Sequence, residues 1–267
     1  MMKIGFIGLG NMGGSLARLV AQDERFRSEL LLANRSRDKA EKIAAEVGGQ
    51  PVSNKEVFAQ AEVIFLGIKP AQFADLLADY REILEKRESL LLVSMAAGLT
   101  LELLEKFTSS HHRWIRIMPN TPVVVGEGVI SFALSQQANQ SDEDLLWELL
   151  SSAGLLVKLE EKQLDAATAL AGCGPAFVYL FIEALADAGV QAGLSRDISL
   201  QLANQTLLGA AKLSQISGQH PAQLKDQVCS PAGSTIAGVA SLEENAFRGT
   251  VMSAVQAAYQ RTQELGK

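Results

Sequence analysis

The sequence predicts an α/β domain built on a doubly wound sheet in residues 1–160, followed by an all-α domain in residues 161–267. In the first segment, short apolar runs alternate with amphipathic stretches, a pattern typical of parallel strands that helices cover on both faces. In the second segment the strand signals stop, and apolar helical stretches are separated by Gly and Pro. Only 16 of its 107 residues are charged, against 38 of 160 in the first segment. These observations favour two domains of different class.

The first element, Lys3 to Gly14, has the pattern of a strand, a tight turn and the start of a helix. Its glycines follow the G-x-G-x-x-G spacing of dinucleotide-binding turns, although a plain strand-to-helix turn is the alternative. Gly8 would permit the turn, Gly10 would let a pyrophosphate approach the main chain, and Gly13 would let the helix pack closely. We therefore expect a Rossmann-type domain whose cofactor turn comprises Gly8, Leu9, Gly10, Asn11, Met12 and Gly13.

The remaining elements follow in chain order. With Lys3 to Gly8, a parallel sheet would be completed by strands at Leu30 to Asn34, Glu62 to Gly67, Leu90 to Met95, Arg113 to Met118, Val129 to Leu134 and Leu155 to Leu159. The clearest helix is Asp142 to Ala153, before Gly154. Ser141 would be its N-cap, and Asp144 would complete an S-x-x-D capping box. The second segment predicts helices at Glu161 to Ala171, Pro175 to Ala192, Ser195 to Ser217, Pro221 to Val228, Ser234 to Leu242 and Glu243 to Leu265.

The end of the second predicted strand bears on the choice of cofactor. NAD enzymes place a carboxylate near this position for the ribose 2′-hydroxyl, whereas NADP enzymes place an arginine there for the 2′-phosphate. Here the residues are Asn34-Arg35-Ser36-Arg37, and the first carboxylate is Asp38. Arg35 could make a bidentate, charge-assisted contact to phosphate, so NADPH is favoured over NADH. If Arg35 and Arg37 only form a solvated loop, the preference stays open.

Three further turns would lie at the carboxyl edge of the sheet, where ligands bind in folds of this class. They are Gly67 to Pro70, Met95 to Gly98 and Met118 to Pro122. Their small residues and prolines would hold backbone close to the nicotinamide ribose and ring. Lys69 is expected to contact ribose or phosphate, and a role as catalytic acid is the alternative.

A second unusual stretch, Val228 to Gly238, is a loop of small residues that leads into a helix. The N–H groups of Gly233, Ser234 and Thr235 would be unpaired at the helix start, which gives an anion site sized for a carboxylate. An ordinary Ser or Thr N-cap between two helices explains the same spacing equally well.

Composition and charge narrow the expected partners. With 24 basic and 30 acidic residues the net charge is −6, and no basic run is present, which argues against nucleic acid. A small metabolite is therefore the expected ligand. The two cysteines and three histidines have neither disulfide-framework nor metal-ligand spacing, so no metal is assigned. No secretion signal precedes the first strand, which favours the cytoplasm.

The second segment carries more apolar surface than a lone surface helix would show. Ala, Leu and Val occupy more than one face of Pro175 to Ala192 and of Ser199 to Leu213. A subunit interface would bury these faces, and a compact monomeric bundle is the alternative. The uncharged run Ala166 to Ile182 is interrupted by Gly172 to Pro175 and is shorter than the ~20 residues of a membrane helix. A buried helix pair is expected there, not a membrane span.

Five motifs occur along the chain in this order: Gly8 to Gly13, Ile68 to Pro70, Met118 to Pro122, Gly172 to Ala176, and Ser230 to Thr235. Together they closely resemble the pyrroline-5-carboxylate reductase family, which makes proline in the last step of its biosynthesis. The resemblance spans almost the whole chain, and the last motif is specific to the family. It implies a C-terminal helical domain that dimerises, dimers that often form decamers, and active sites completed at the dimer interface.

The resemblance also implies roles for individual residues. The backbone N–H groups of Gly233, Ser234 and Thr235 would hold the carboxylate of Δ1-pyrroline-5-carboxylate. The Thr235 hydroxyl would bond the ring nitrogen, and Ser230 joins Thr235 as the second catalytic residue. The implied cofactor contacts are Gly8, Leu9, Gly10, Asn11, Met12, Gly13, Asn34, Arg35, Ser36, Asn54, Ile68, Lys69, Pro70, Ala96 and Ala97.

Four positions depart from the family pattern. Cys173 and Cys229 stand where Ser or Thr is more frequent, Ala232 stands where Gly is usual, and Phe177 stands where Tyr is common. These near-isosteric changes bear on affinity and not on activity. If both cysteine loops line the pocket, alkylation should inhibit and substrate should protect. Two buried, inert thiols are the alternative.

The implied reaction is hydride transfer from NADPH to the imine carbon of a protonated substrate, for which the protein need only bind and orient. A β-hydroxyacid dehydrogenase is one alternative. Those enzymes share a K-x-x-x-N helix, whereas every lysine here lacks Asn four residues later. A non-catalytic NADPH sensor is the other alternative, and a sensor has no need of the anion loop at Ser230 to Thr235.

Overall fold

The computed structural model describes residues 2–108 and 111–265, and these contain an eight-stranded sheet. The seven predicted strands are confirmed, and β3 is an additional two-residue strand that the apolar pattern did not indicate. In chain order the strands are β1 (Ile4–Ile7), β2 (Leu30–Ala33), β3 (Gln50–Pro51), β4 (Val63–Leu66), β5 (Leu91–Ser94), β6 (Arg113–Pro119), β7 (Gly128–Leu134) and β8 (Gly154–Lys158).

The strand order is β3-β2-β1-β4-β5-β6-β7-β8, which confirms a doubly wound sheet whose order reverses beside β1. Six neighbouring pairs are parallel, but β6 and β7 are antiparallel, so the prediction of a parallel sheet was wrong at this pair. The eight residues 120–127 connect these two strands. A parallel crossover needs about a dozen residues or more, so this short connection makes the chain reverse.

The central strands are buried on both faces. No residue of β1, β2 or β4 has a polar side chain, and all twelve are buried. Successive side chains point to opposite faces. Phe6 and Phe65 stack on one face with ring centroids 4.7 Å apart, whereas Ile7 and Leu66 pack into the apolar cluster on the other. Because the neighbouring pairs from β3 to β6 are parallel, the carboxyl ends of these strands lie at one edge of the sheet.

Helices cover both faces of the sheet. In chain order they are α1 (Asn11–Val20), α2 (Glu24–Arg27), α3 (Arg37–Val47), α4 (Asn54–Gln60), α5 (Phe73–Asp79), α6 (Arg81–Lys86), α7 (Leu101–Lys106), α8 (Gln140–Leu150) and α9 (Leu164–Ala167). Short 3₁₀ turns occur at Pro70–Gln72, Thr121–Val125, Ser151–Ala153 and Glu161–Gln163, and a π-helix occurs at Thr168–Gly172.

The cap of α8 differs from the prediction. Its N-cap is Asn139 and not Ser141, because the Asn139 side chain accepts from the N–H of Ser141 at 2.9 Å and of Asp142 at 3.3 Å. Asp142, rather than Asp144, completes the capping box by accepting from the N–H of Asn139 at 2.9 Å. Asn caps a helix as well as Ser does. Asp142, which is buried, also forms an ion pair with Arg113. The local spacing of residues could not have predicted this contact.

The described chain divides into two compact units, one reaching Cys173 and resuming at Ala258, the other spanning Gly174–Ala257. The first unit extends beyond the border expected after residue 160. Arg116 in β6 explains the extension, because it pairs with Glu161 at 3.3 Å and with Asp165 at 3.0 Å. Residues 161–173 are thereby held against the sheet.

The second unit is helical, as predicted. Its helices are α10 (Gly174–Gln191), α11 (Arg196–Ser217), α12 (Pro221–Gln227), α13 (Ser234–Glu244) and α14 (Phe247–Leu265), whose residues from Ala258 onward belong to the first unit. The predicted helix from Glu243 was wrong in its start, because Ala246 adopts a φ of 54° that interrupts helical geometry before Phe247. The predicted helix at residues 161–171 is three short pieces: a 3₁₀ turn, α9 and the π-helix.

Large apolar side chains remain exposed on the helical unit of a single chain. Leu180 is 65% exposed, Leu208 60% and Met252 72%. By length and composition the helical run Glu161–Gln191 could cross a membrane, and only 11% of its most apolar window is buried. The expected burial of this helix pair is therefore not achieved within one chain.

Candidate functional site

The backbone of the turn between β1 and α1 requires glycine at two positions, Gly8 and Gly13, and leaves free space beside a third glycine, Gly10. Gly8 has a φ of +90°, which L side chains rarely adopt, and a Cβ there would lie 2.6 Å from the carbonyl oxygen of Gly67. A Cβ on Gly13 would lie 2.1 Å from the carbonyl oxygen of Gly8. A Cβ on Gly10 would meet no heavy atom within 4 Å. Gly10 therefore borders open space, which fits the close approach of a pyrophosphate.

The start of α1 adds donors to this turn. Gly10 is the N-cap, and no side chain of the described residues caps the helix. The first N–H groups of a helix have no partner within it and carry the positive end of the helix dipole. This end of α1 is therefore suited to bind a phosphate.

A cleft of about 630 Å³ opens beside the glycine turn, at the carboxyl ends of β1, β2 and β4. Its volume is in the range of small-molecule sites. Its position beside β1, where the strand order reverses, is where this fold class binds dinucleotides. Eight of the predicted cofactor residues line it together: Gly8, Gly10, Asn34, Arg35, Ser36, Asn54, Ile68 and Lys69.

Other predicted cofactor residues do not line this cleft. Leu9 is fully buried and Ala96 is 2% exposed, so contacts from these two would have to come from the backbone. Asn11 lines an adjoining cavity of about 350 Å³ together with Gly10. The remaining residues outside the lining of the cleft are Met12, Gly13, Pro70 and Ala97.

The two arginines at the end of β2 have different surroundings. Arg37 donates from its Nε to a carboxylate oxygen of Glu41 at 2.9 Å, and it lines a separate cavity of about 400 Å³ that includes Glu56. Arg35 lines the cleft of about 630 Å³ and has no ion-pair partner within the described residues. Among the described residues, Arg35 is therefore a cation of this cleft that no carboxylate pairs with.

Two carboxylates that line the cleft were not predicted from the sequence. Asp75 and Asp79 of α5 both line it. Their spacing of four residues places them on one face of the helix. That spacing is common on solvated helices, so it gave no signal of a functional site.

The second predicted site is the loop between α12 and α13. Gly233 is the N-cap of α13, and within the described part of the chain no side chain caps this helix. The prediction of an unpaired Gly233 N–H was wrong, because this group donates to the carbonyl oxygen of Ser230 at 3.0 Å. The N–H groups of Ser234 and Thr235 have no acceptor among the described residues. Of the three N–H groups predicted to bind an anion, those of Ser234 and Thr235 are therefore available in the described chain.

The shape of this loop depends on its small residues. A Cβ on Gly233 would lie 2.3 Å from the Oγ of Ser230, so Ser230 packs against the space that glycine leaves. Ala232 has a φ of 55°. The left-handed region costs a non-glycine residue about 1–2 kcal/mol. The backbone conformation at position 232 therefore favours Gly, which is the residue that the resembling family usually has there.

Each cysteine ends a backbone turn as a free, partly buried thiol. The N–H of Cys173 donates to the carbonyl oxygen of Thr168 at 3.0 Å, and the N–H of Cys229 donates to the backbone carbonyl oxygen of Asp226 at 3.1 Å. The sensitivity of these thiols to alkylation stays a prediction.

Comparison with known proteins agrees with this geometry. Residues 161–265 match the family model described as pyrroline-5-carboxylate reductase dimerisation, and residues 3–98 match the model described as NADP oxidoreductase, coenzyme F420-dependent. The chain is similar to the pyrroline-5-carboxylate reductase of Pisum sativum, with 44% identity over 98% of this chain and 95% of that protein.

Solved structures give the same result. The chain is similar to the Plasmodium falciparum pyrroline carboxylate reductase with NADP bound, at a TM-score of 0.88 and 36% identity over 100% of this chain and 98% of that one. It is also similar to a pyrroline-5-carboxylate reductase from Coxiella burnetii, at a TM-score of 0.91 and 31% identity over 100% and 99% of the two chains. The glycine turn, the helical unit and the full-length relatives agree, and the chain belongs to the pyrroline-5-carboxylate reductase family.

Proposed function

We propose that this protein reduces Δ1-pyrroline-5-carboxylate to L-proline with NADPH, the last step of proline biosynthesis. The observation that carries the proposal is the open space over Gly10, in a turn that is closed at Gly8 and Gly13. That arrangement suits a dinucleotide pyrophosphate. Membership of the family identifies the substrate, because the relative in Pisum sativum is a pyrroline-5-carboxylate reductase.

The residues of the first unit bind and orient the cofactor. Bound NADPH supplies the hydride. The start of α1 after Gly10 holds the pyrophosphate, and Arg35 with Ser36 holds the 2′-phosphate. Asn54, Ile68 and Lys69 also line the cleft, and Ile68 and Lys69 would contact the ribose. We assign Leu9, Asn11, Met12, Gly13, Pro70, Ala96 and Ala97 to backbone contacts or to the packing that shapes the cleft.

The loop of the second unit binds the substrate. The N–H groups of Ser234 and Thr235 hold the carboxylate, since both lack an acceptor in the described chain. The Thr235 hydroxyl hydrogen-bonds the ring nitrogen and orients the C=N bond. Ser230 borders the same site, and its contact with Gly233 sets the shape of the loop.

Orientation is sufficient for this chemistry. The imine nitrogen enters protonated, so hydride addition to the adjacent carbon gives the secondary amine of proline without a proton from the protein. The protein contributes by holding the acceptor carbon in a near-attack geometry. The cofactor provides the reducing power, so no nucleophilic side chain is required.

Arg35 supports NADPH over NADH. It lines the cleft without an ion-pair partner in the described residues, whereas Arg37 is held by Glu41. A guanidinium binds phosphate in a bidentate way. NADH lacks the 2′-phosphate and loses this contact.

The protein assembles through its helical segment, which matches the dimerisation model over residues 161–265. We assign a homodimer, and a decamer of five dimers as the assembly that the family resemblance implies. Exposed apolar side chains occur on α11 and α14 as well as on α10, which one membrane span would not explain. Light scattering in detergent-free buffer distinguishes two chains from ten. A protein that requires detergent would contradict the dimer assignment.

We place the protein in the cytoplasm with a small-molecule substrate and no nucleic-acid partner. The net charge of −6 and the two free thiols support this assignment. Fractionation of cells that express a tagged copy tests it directly, and recovery with membranes would contradict it.

An absorbance assay separates the three functional classes. NADPH oxidation is followed in the near ultraviolet with Δ1-pyrroline-5-carboxylate, and NADP⁺ reduction is followed with a β-hydroxyacid. We expect activity in the first assay alone. Activity only with the hydroxyacid would favour a β-hydroxyacid dehydrogenase, and NADPH binding without turnover would favour a sensor.

A further inference from the structure

The side chain of Asn120, just beyond the end of β6, is engaged at both of its polar atoms. Its Oδ1 accepts from the N–H of Val129 at 2.8 Å, and its Nδ2 donates to the carbonyl oxygen of Ala171 at 3.0 Å. Its own N–H donates to the carbonyl oxygen of Val129 at 3.1 Å. The residue is only 8% exposed. Asn120 is therefore a buried link between β7 and the π-helix Thr168–Gly172.

The carbonyl oxygen of Ala171 needs an outside donor because of the residues that follow it. In an α-helix the donor would be the N–H of residue 175. Residue 175 is proline, which has none. The chain also departs from α-helical bonding here, since the N–H of Cys173 donates to Thr168, five residues back, at 3.0 Å. Asn120 thus supplies a donor where Pro175 removes one.

Asn120 stands at the ligand-binding edge of the sheet. Because β6 runs parallel to β5, its end at Pro119 lies on the same edge as the ends of β1 and β4. Gly8 and Gly67 follow those two strands and line the cofactor cleft. A side chain that reaches from this edge to residues 171–173 fixes that backbone relative to the edge.

We propose that Asn120 is a positioning residue for hydride transfer, which holds the backbone of residues 171–173 in place at the nicotinamide end of the sheet edge. The proposal rests on the reductase function proposed above. The motif Met118 to Pro122 predicts only that backbone lies near the nicotinamide. The structure adds a role for one side chain within it, through two hydrogen bonds to separate elements. Short π-helical segments of the kind it holds are frequent at functional sites.

A side chain within β6 anchors the chain just before the π-helix. Arg116 lies four residues before Asn120, and it pairs with Glu161 and Asp165. These ion pairs do not depend on Asn120. Loss of the Asn120 bond should therefore displace the turn at residues 171–173 without releasing the whole segment from the sheet.

Three variants isolate the contact. Asn120→Asp keeps an acceptor for the Val129 N–H but loses the donor to Ala171, whereas Asn120→Leu loses both. Thr168→Val is the matched control, because it removes another hydrogen bond of the same segment, from the Thr168 hydroxyl to the carbonyl oxygen of Leu164 at 2.7 Å. Each variant is compared with its parent in kcat, in the Kd of NADPH, in thermal midpoint and in the alkylation rate of Cys173.

We expect Asn120→Asp to lower kcat about ten- to a hundredfold, the range for misplacement by about 1 Å, while the Kd of NADPH changes less than about twofold. Asn120→Leu should lower kcat at least as much. Thr168→Val should keep the parent kcat. In a Cys229→Ser background, iodoacetamide should label Cys173 faster in Asn120→Asp than in its parent, since the turn is no longer held.

Equal kcat and equal labelling rates in Asn120→Asp and its parent would overturn the proposal. A fall in kcat that merely follows lost NADPH binding or a lower thermal midpoint would also overturn it. An inactive parent protein would refute the reductase function instead. The labelling rates would then decide by themselves whether Asn120 holds the turn.

Discussion

The side-chain oxygen of Asn34 accepts a hydrogen bond from the N–H of Leu9 at 3.0 Å. Its Nδ2 donates to the carbonyl oxygen of Ser36 at 3.2 Å. The residue at the end of β2 thus joins the glycine turn after β1 to the loop that carries Arg35. Asn34 was expected to contact the cofactor. The structure gives its amide a further task, which is to hold two parts of the cofactor cleft together.

Substitution of Asn34 should therefore affect NADPH more than protein folding. Asn34→Asp can still accept from Leu9 but cannot donate to Ser36, and it places a negative charge beside the site proposed for the 2′-phosphate. We expect the KM for NADPH to rise about tenfold or more, the size of a lost hydrogen bond plus charge repulsion. The KM for NADH should change less. Steady-state kinetics with both cofactors check this, and equal changes in the two KM values would contradict it.

Arg35 should set the preference between the two cofactors. A hydrogen bond to a charged group contributes about 1.5–3 kcal/mol, so Arg35→Ser should weaken NADPH about ten- to a hundredfold. NADH should be nearly unaffected. Arg37→Ser is the matched control, since Glu41 already holds that side chain. The affinity of each variant for NADPH is measured by titration. If Arg37→Ser weakens NADPH binding more than Arg35→Ser does, Arg37 and not Arg35 binds the 2′-phosphate.

Two glycines of the turn should respond differently to the same methyl group. Gly10→Ala adds a Cβ in open space, so the fold should be kept while NADPH affinity falls about tenfold or more. Gly13→Ala forces a Cβ to within 2.1 Å of the Gly8 carbonyl oxygen. It should therefore also lower the free energy of unfolding, by about 1–3 kcal/mol. Urea unfolding and NADPH titration test both. Undiminished NADPH binding by Gly10→Ala would remove the pyrophosphate from this turn.

The Thr235 hydroxyl should matter for catalysis. Thr235→Ala should lower kcat/KM about ten- to a thousandfold, the range of a lost orienting hydrogen bond plus misplacement. Ser241→Ala, in the same helix α13, controls for loss of a hydroxyl from that helix. NADPH binding should be equal in both variants. Reductase activity at the parent level in Thr235→Ala would remove Thr235 from the mechanism.

His112 should make the fold sensitive to acid. Burial lowers the pKa of His112 to about 4 from an ordinary 6.5, helped by the neighbouring His111. Its Nδ1 accepts from the N–H of Leu90 at 3.2 Å, which requires the neutral ring. The neutral form contributes stability above pH 6.5, and this is lost as pH falls towards 4. The loss amounts to roughly 3 kcal/mol from this group.

The free energy of unfolding, measured with urea between pH 7 and pH 4, tests this loss of stability in acid. His112→Gln should flatten the decline in the free energy of unfolding over that range. Equal slopes in the parent and His112→Gln would show that other groups cause the decline.

The sequence predicted the elements that burial dictates. Strands such as β1 and β4 are apolar at every position because both faces are covered, so their apolar runs identify them. The exposed strand β3 contains only Gln50 and Pro51, and it offered no such signal. The reversal between β6 and β7 could have been predicted from the length of the connection. It was missed because the alternation of strands and helices along the chain favoured a parallel sheet.

The candidate site was predictable where the backbone demands a residue type. Gly8 and Gly13 are fixed by close contacts, and their spacing reveals them. The link from Asn34 to Leu9 spans 25 positions in sequence, and the link from Asn120 to Ala171 spans 51. Such links depend on which strands become neighbours, and local patterns do not contain that information.

Product analysis tests the reductase function most directly. Purified protein is incubated with NADPH and Δ1-pyrroline-5-carboxylate, and both L-proline and NADP⁺ are quantified over time. We predict one molecule of L-proline for each molecule of NADP⁺ formed, with neither product when protein or substrate is omitted. NADPH consumption without proline, or no reaction under these conditions, would contradict the proposed function.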